Sequence, residues 1–408
     1  MTRPIWAEVS QSCLKENFAS LTRQAAGRAA LLCVVKANAY GHGMESTART
    51  LAATGAEWLG VTSAEEGIAL REALPDALPD AKPNILVLSG VALTEAGQAE
   101  AVALVDHRLT AVVWETAQLR WLEKAAAERG LAAGSLPVHL EIETGMARQG
   151  VPWNDVAALR AIAHHFSAGS ALRLEGVMTH YASPERTDDP MNARQTARFA
   201  EALETLRRAG VEFEVVHAGN SDTLFDAHQM DELHALATTH NAALMIRPGI
   251  ALYGAGARSA ERGLAPVLSW KTRVISVRTL EIGDTVGYGS IFIAARPTQI
   301  ALVAVGYADG LNRGLSNLGA MLVRGHWARI VGRISMDLST IDVTDIPGVM
   351  PGDEVVIIGA QGRNQITAGE IAALTETISY EVLCGIALRV PRVVVEQSGA
   401  ELQKTLNR

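Results

Sequence analysis

A closed (β/α)8 barrel of the TIM type followed by a second, mostly β domain is the fold class predicted for this 408-residue sequence. Three observations predict it. Eight short apolar, β-branched runs alternate with helical stretches over about 250 residues, the usual size of such a barrel. After Gly263 the texture changes to strand-like runs separated by tight turns. The composition, 48% hydrophobic and 20% charged, suits a large core divided between two domains. A doubly wound open sheet shares the local pattern but rarely runs through eight successive units.

The run Ile5–Ser10 is expected to add a strand to the second domain. The barrel strands are predicted at 31–36, 58–63, 84–89, 110–114, 138–143, 174–180, 213–217 and 243–247. Segments between them, such as 154–165 and 192–210, carry apolar residues at helical rather than alternating spacing. Strand-like runs follow at 267–280, 299–305, 338–343, 354–358 and 387–396, with helical periodicity surviving near 368–375. The turn signals Ile-Gly-Asp (282–284) and Pro-Gly-Asp (351–353) punctuate them. Residues 1–262 and 263–408 are thus expected to form two domains, with the junction near 255–266.

A net charge of −8 and the lack of a Lys/Arg-rich run argue against nucleic acid or an anionic membrane as partner. Cys13, Cys33 and Cys384 are scattered, so neither a zinc site nor a disulfide framework is indicated. No metal is expected. The N-terminus lacks a hydrophobic signal core, and no apolar run approaches the ~20 residues of a membrane helix. A cytoplasmic protein is expected.

In such a barrel the reactive groups sit where strands end and loops begin. Lys36 closes the first strand, and a lysine at the rim of a buried strand is partly desolvated, which favours its neutral, nucleophilic amine. A lysine that merely reaches water is the plainer alternative. Arg148 follows strand five, His180 closes strand six, Asn220 and Ser221 follow strand seven, and Arg247, Pro248 and Gly249 follow strand eight. The last two loops can offer N–H groups and a hydroxyl to an anion, where barrels commonly hold phosphate. Ser221 as a helix N-cap and Gly249 as a turn glycine remain compatible readings.

Six ordered motifs give these residues a family. They are Val-Val-Lys-Ala-Asn-Ala-Tyr-Gly-His-Gly (34–43), Glu-Thr-Gly-Met-Ala-Arg-Gln-Gly (143–150), Arg-Pro-Gly-Ile-Ala-Leu-Tyr-Gly (247–254), Gly-Tyr-Gly (287–289), Gly-Tyr-Ala-Asp-Gly (306–310) and Gly-Arg-Ile-Ser-Met-Asp (332–337). Over nearly its whole length the chain resembles alanine racemase, a pyridoxal 5'-phosphate enzyme built as a barrel plus a β domain. The resemblance implies an isomerase that interconverts L- and D-alanine and supplies D-alanine for peptidoglycan. It implies a homodimer with shared active sites. Lys36 matches the lysine that binds the cofactor and carries one proton, and Tyr288 matches the second base, given by the partner subunit. Two carriers are needed because a single base tends to return the proton to the face it left. Without the motif, Tyr288 would read as a tyrosine packed between turn glycines.

By the same resemblance Arg247 faces the pyridine nitrogen, with His180 beside it. A guanidinium does not give up a proton, so that ring nitrogen stays unprotonated and the ring is a weaker electron sink. Tyr40, Ser221, Gly249, Ile250 and Tyr380 match the phosphate-holding positions, with Asn220 beside them. Arg148 matches the arginine near the substrate carboxylate, and the Met336 backbone matches a carboxylate-binding position from the other subunit. Tyr307, Arg333 and Asp337 resemble the entrance lining, although a surface ion pair explains the last two equally well.

Two positions depart from the family. Many relatives carry a lysine, carbamylated in some, seven residues before the motif arginine; here Glu141 stands there. Strand alternation puts His139, Glu141 and Glu143 on one face, so Glu141 is expected to supply the negative charge directly. Ser335 replaces a frequent cysteine, which leaves serine or a broader substrate range as an alternative. A D-amino-acid lyase and a non-catalytic pyridoxal-phosphate carrier on a related barrel are the remaining alternatives.

Overall fold

The computed structural model describes residues 3–25, 27–74, 82–186 and 188–399. The chain divides into two compact units. One comprises Ala19–Ala37 and Ala48–Gly249; the other takes the residues up to Phe18, Asn38–Thr47 and those from Ile250 onward.

The first unit is a parallel barrel of Ala29–Val34, Trp58–Val61, Asn84–Val87, Thr110–Val113, Leu136–Glu143, Leu172–Met178, Val215–Asn220 and Ala243–Arg247. Pairing of the fourth strand with the fifth and of the eighth with the first closes the ring. Leu32, Cys33, Leu59, Val61, Ile85, Leu86, Val87, Val112 and Val113 are all wholly buried. Strands covered on both faces need apolar residues at consecutive positions, which is why these runs are continuous rather than alternating. Helix starts are marked by side chains that satisfy orphan N–H groups. Asp155 accepts from Ala158 N, Asp189 from Met191 N ahead of Pro190, and Asp226 from Gln229 N.

Three strand ends differ from the sequence reading. The first strand stops at Val34, and Lys36 opens the turn beyond it. His180 lies two residues past strand six, and strand seven runs to Asn220, so Asn220 is its last residue. In each case the run of apolar residues and the extent of strand pairing do not coincide.

In the second unit the 13-residue strand Leu268–Leu280 is the spine. It pairs antiparallel with Ile5–Ser10, Thr298–Val303 and Glu354–Gln361, and a register shift between Val274 and Ser276 lets one strand serve several partners. Ile5–Ser10 pairs on its other side, in parallel, with Arg392–Val395. Ser339–Asp342 extends the sheet from Thr298–Val303. Ala320–Val323 and His326–Arg329 form a hairpin that periodicity did not reveal. Its turn residues Arg324 and Gly325 have φ of 52° and 78°, as a tight hairpin requires, without the usual Asn-Gly signal. The helix Ala368–Leu374 is closed by a Thr367–Glu370 capping box, and Ser379–Cys384 forms one further short helix.

Candidate active site

Directly after Lys36 the backbone turns left-handed. Ala37, Asn38, Ala39 and Tyr40 have φ of 52°, 54°, 55° and 52°, a run that costs about 1–2 kcal/mol for each L-residue. Several bonds hold it. Asn38 accepts at its backbone oxygen from Gly43 N and at its side-chain oxygen from Met44 N, each at 2.9 Å. Glu66 accepts from Ala37 N at 2.7 Å, and Arg392 donates to Gly41 O at 2.9 Å. His42 Nδ1 lies 2.9 Å from Ala39 O and 3.0 Å from Tyr40 O; two carbonyls require a donor, so the proton sits on Nδ1. Burial lowers the His42 pKa to about 4. Gly41 has φ of 83°, and a side chain there would strike the Leu383 carbonyl. These constraints give the Tyr-Gly-His-Gly motif a physical reason. Strain held so firmly beside a reactive side chain is a mark of functional sites.

Lys36 itself is half-buried. In the barrel unit Lys36, Arg148 and Arg247 all act on His180, whose pKa falls to about 3 through burial and then these three positive charges. Arg247 is 4% exposed. Its Nη2 donates to Thr179 O at 2.8 Å, Ala218 O at 3.0 Å and His180 Nδ1 at 3.0 Å, while Nη1 donates to His217 Nδ1 at 3.1 Å. Burial lowers the Arg247 pKa to about 10, which leaves it a cation at neutral pH and His180 neutral beside it. Glu141 is buried, and its carboxylate accepts from Gln149, which also donates to Leu88 O at 2.9 Å. Burial raises the Glu141 pKa, against the pull of Gln149, Arg247 and Arg148. The sequence-predicted residues Lys36, Glu141, Arg148, His180 and Arg247 are thus one electrostatic group.

The Ser221 hydroxyl accepts from Gly249 N at 3.0 Å, joining the loops after strands seven and eight. Ser221 is not the helix N-cap, because Asp226 takes that place ahead of Ala227–Thr239. Asn220 is turned into its own loop, accepting from Asp222 N at 2.9 Å. In the other unit Tyr40 packs between Tyr253 and Tyr380, at ring separations of 5.1 and 5.8 Å. Burial raises the Tyr40 phenol, helped by Tyr380 and Cys384. Ile250 is buried, and its carbonyl accepts from Tyr253 N.

Tyr288 is 71% exposed, on a turn whose flanking Gly287 and Gly289 have φ of 71° and 72°. It is therefore not packed between its glycines. Arg333 lies against that turn. Tyr307 N donates to Ser335 O at 3.0 Å and Ala308 N to Met336 O at 2.9 Å, which joins the two motif loops. Asp337 pairs with Arg389 at 2.6 Å and Arg3 at 3.8 Å, so an Arg333–Asp337 ion pair is not what the fold makes. The sequence reading missed Tyr253, Gln149, His217 and Glu175. The first two lie inside the quoted motifs, and strand alternation pointed at His139 but not at its partners.

The strand ends of this closed barrel and the loops just beyond them thus bring together an amine, two guanidinium groups and a serine–glycine corner, where enzymes of this fold carry their reactive groups. Family models described as the N-terminal and C-terminal domains of alanine racemase match residues 9–257 and 267–394. The alanine racemase of Symbiobacterium thermophilum is 40% identical over 393 residues, covering 96% of this chain and 97% of that one. Among solved structures, alanine racemase from D-cycloserine-producing Streptomyces lavendulae superposes with a TM-score of 0.83 at 30% identity, covering 98% and 99% of the two chains. That from Bartonella henselae, with covalently bound pyridoxal phosphate, gives 0.81 at 25% identity, covering 96% and 99%. The chain belongs to the alanine racemase family, a family of isomerases.

Proposed function

We propose that this protein interconverts L-alanine and D-alanine with pyridoxal 5'-phosphate, using Lys36 and the Tyr288 of a second copy as its two proton carriers. The observation that carries the reading is the convergence of Lys36, Arg148, His180 and Arg247 on one electrostatic group beside the Ser221–Gly249 corner. The residues fit the cofactor. The corner brings the Ser221 hydroxyl and the Gly249 N–H together at 3.0 Å, a polar pair suited to a phosphate, and the buried Arg247 guanidinium is a donor suited to an unprotonated ring nitrogen.

Pyridoxal phosphate, when bound, supplies an aldehyde that condenses with amines and a ring that withdraws electrons from an amino acid's α-carbon. Lys36 holds the cofactor covalently and moves a proton at one face of that carbon; Tyr288 serves the opposite face. Arg247 would hold the cofactor at its ring nitrogen as a donor, and because it stays a cation it would not hand over its proton. A donor that keeps its proton would leave the ring a weaker electron sink. His180, neutral at physiological pH, accepts from Arg247 and holds its orientation. Tyr40, Ser221, Gly249, Ile250 and Tyr380 are assigned to the phosphate, with Asn220 beside them. Arg148 and the Met336 backbone are assigned to the substrate carboxylate, Glu141 to orienting Arg148, and Tyr307, Arg333 and Asp337 to the entrance.

In this reading the barrel unit carries the cofactor, and Tyr288 and Met336, from residues 263–408, complete the partner's site in a homodimer. The exposure of Tyr288 and Met336 supports this, since neither is enclosed by its own chain. D-alanine production for peptidoglycan in the cytoplasm is the corresponding role; among the described residues no helix is long and apolar enough to cross a membrane. Chiral chromatography of alanine incubated with purified protein and pyridoxal phosphate tests the activity. Interconversion from either enantiomer, abolished in Lys36→Ala, is expected. Turnover of serine alone, or none with cofactor bound, would reject it.

A further inference from the structure

Beyond the rim, the barrel interior holds a chain of polar groups that the activity does not explain. His217 Nε2 lies 2.9 Å from His139 Nδ1, and His139 Nε2 lies 3.2 Å from a Glu175 carboxylate oxygen. Arg173 donates to the other oxygen of Glu175 at 3.1 Å and pairs with Glu214. Both histidines are wholly buried. They come from strands five and seven, which are not neighbours in the sheet, and the Trp58 ring of strand two stands 5.4 Å from His139. The contact therefore crosses the barrel's interior. A Cβ on Gly176, paired opposite His139, would collide with its ring, so the glycine makes room for it.

We propose that Glu175, His139 and His217 form a relay of positioning residues that fixes the guanidinium of Arg247 from inside the barrel. Its direction follows from donor and acceptor chemistry alone. Arginine has no acceptor, so the His217 Nδ1 it meets must be a lone pair and the His217 proton sits on Nε2. That proton is donated to His139 Nδ1, which places the His139 proton on Nε2, pointing at Glu175. A carboxylate can only accept, so Glu175 anchors the order of the whole chain. Burial opposes its charge, yet the bonds from His139 and Arg173 hold its pKa below the usual carboxylate value. Burial likewise keeps His217 neutral.

The consequence lies at Arg247. Among the described residues, three of the four acceptors bond Nη2 and only His217 holds Nη1, so the second point fixing the guanidinium plane depends on the relay. Without Glu175 the two rings are free to reverse, with His139 Nδ1–H donating to His217 Nε2. The His217 proton would then sit on Nδ1 and face an Arg247 donor. Metal ligands whose outer hydrogen-bond partners are removed commonly lose about ten- to hundredfold in affinity or activity, and a guanidinium held through a histidine pair is oriented in the same manner.

The relay rests on the racemase reading only for what Arg247 does, and its first test needs no turnover. In the cofactor-free protein with ¹⁵N-labelled histidine, His139 and His217 are expected as neutral rings protonated at Nε2. A proton on Nδ1 of either ring would overturn the relay, whatever the activity assay shows. In Glu175→Ala the two rings are expected to populate both tautomers, and kcat for alanine to fall about tenfold or more. Glu175→Gln, whose carbonyl still accepts from His139, is expected to restore the wild-type tautomers and most of the rate. A folded Glu175→Ala with wild-type tautomers, or with reversed tautomers and an unchanged kcat, would also overturn it.

Discussion

Tyr288→Phe removes one oxygen from a side chain that is 71% exposed, so the melting temperature is expected to stay close to that of the parent. Racemisation is expected to slow by about 10²–10⁴-fold, the usual contribution of a positioned proton carrier, as read by chiral assay. His42 and His180 carry a second prediction. Their folded pKa values, about 4 and about 3, lie below the unfolded value of 6.5, so the unfolded chain binds more protons in acid. Their stabilising contribution is complete above about pH 6.5 and is lost as pH falls toward those folded values. Urea melts of the cofactor-free protein at descending pH should show this loss, and His42→Asn should reduce its slope. At this scale the sequence placed Lys36, Arg247 and Ser221 at or just beyond strand ends, where the structure also has them. It was silent on His217 and Glu175, because a polar residue within an apolar run does not reveal which strand lies across the barrel from it.

The left-handed turn at Ala37–Tyr40 is the element with the sharpest local conflict between conformation and residue type. Ala37 is exposed, so a substitution there tests backbone strain rather than packing. A β-branched side chain at φ near 52° is a conformational outlier, and Ala37→Val is expected to lower stability by about 1–3 kcal/mol. Ala37→Gly, which relieves the strain but raises the freedom of the unfolded chain, is expected to be within about 1 kcal/mol of the parent. Denaturant melts of both variants decide this. The eight barrel strands were legible because burial on both faces demands continuous apolar runs. The turn was not, since hydrophobic spacing carries no information about the sign of φ. The hairpin Ala320–Arg329 stayed hidden for a related reason, as Arg-Gly is a rare way to make its turn.

For the whole molecule, the second unit presents Ile282, Tyr288, Ile293 and Met336 with between 54% and 71% of each exposed. A contiguous exposed apolar patch is the mark of a surface that another protein covers, and the shared-site reading puts these side chains against the partner. Sedimentation is expected to show a dimer, and Ile293→Glu to shift it toward monomer with loss of activity. The two-domain plan was legible in the change of texture after Gly263; the return of Ile5–Ser10 between Leu268–Leu280 and Arg392–Val395 shows pairing that no local pattern specifies. The most direct test of two proton carriers from two chains is to mix Lys36→Ala and Tyr288→Phe subunits, each nearly inactive alone, under conditions that exchange partners. Half of a random mixture is heterodimer, and each heterodimer holds one intact site, so activity should return to about a quarter of the parent level. No recovery in a mixture shown to contain heterodimers would place both carriers on one chain and contradict the account.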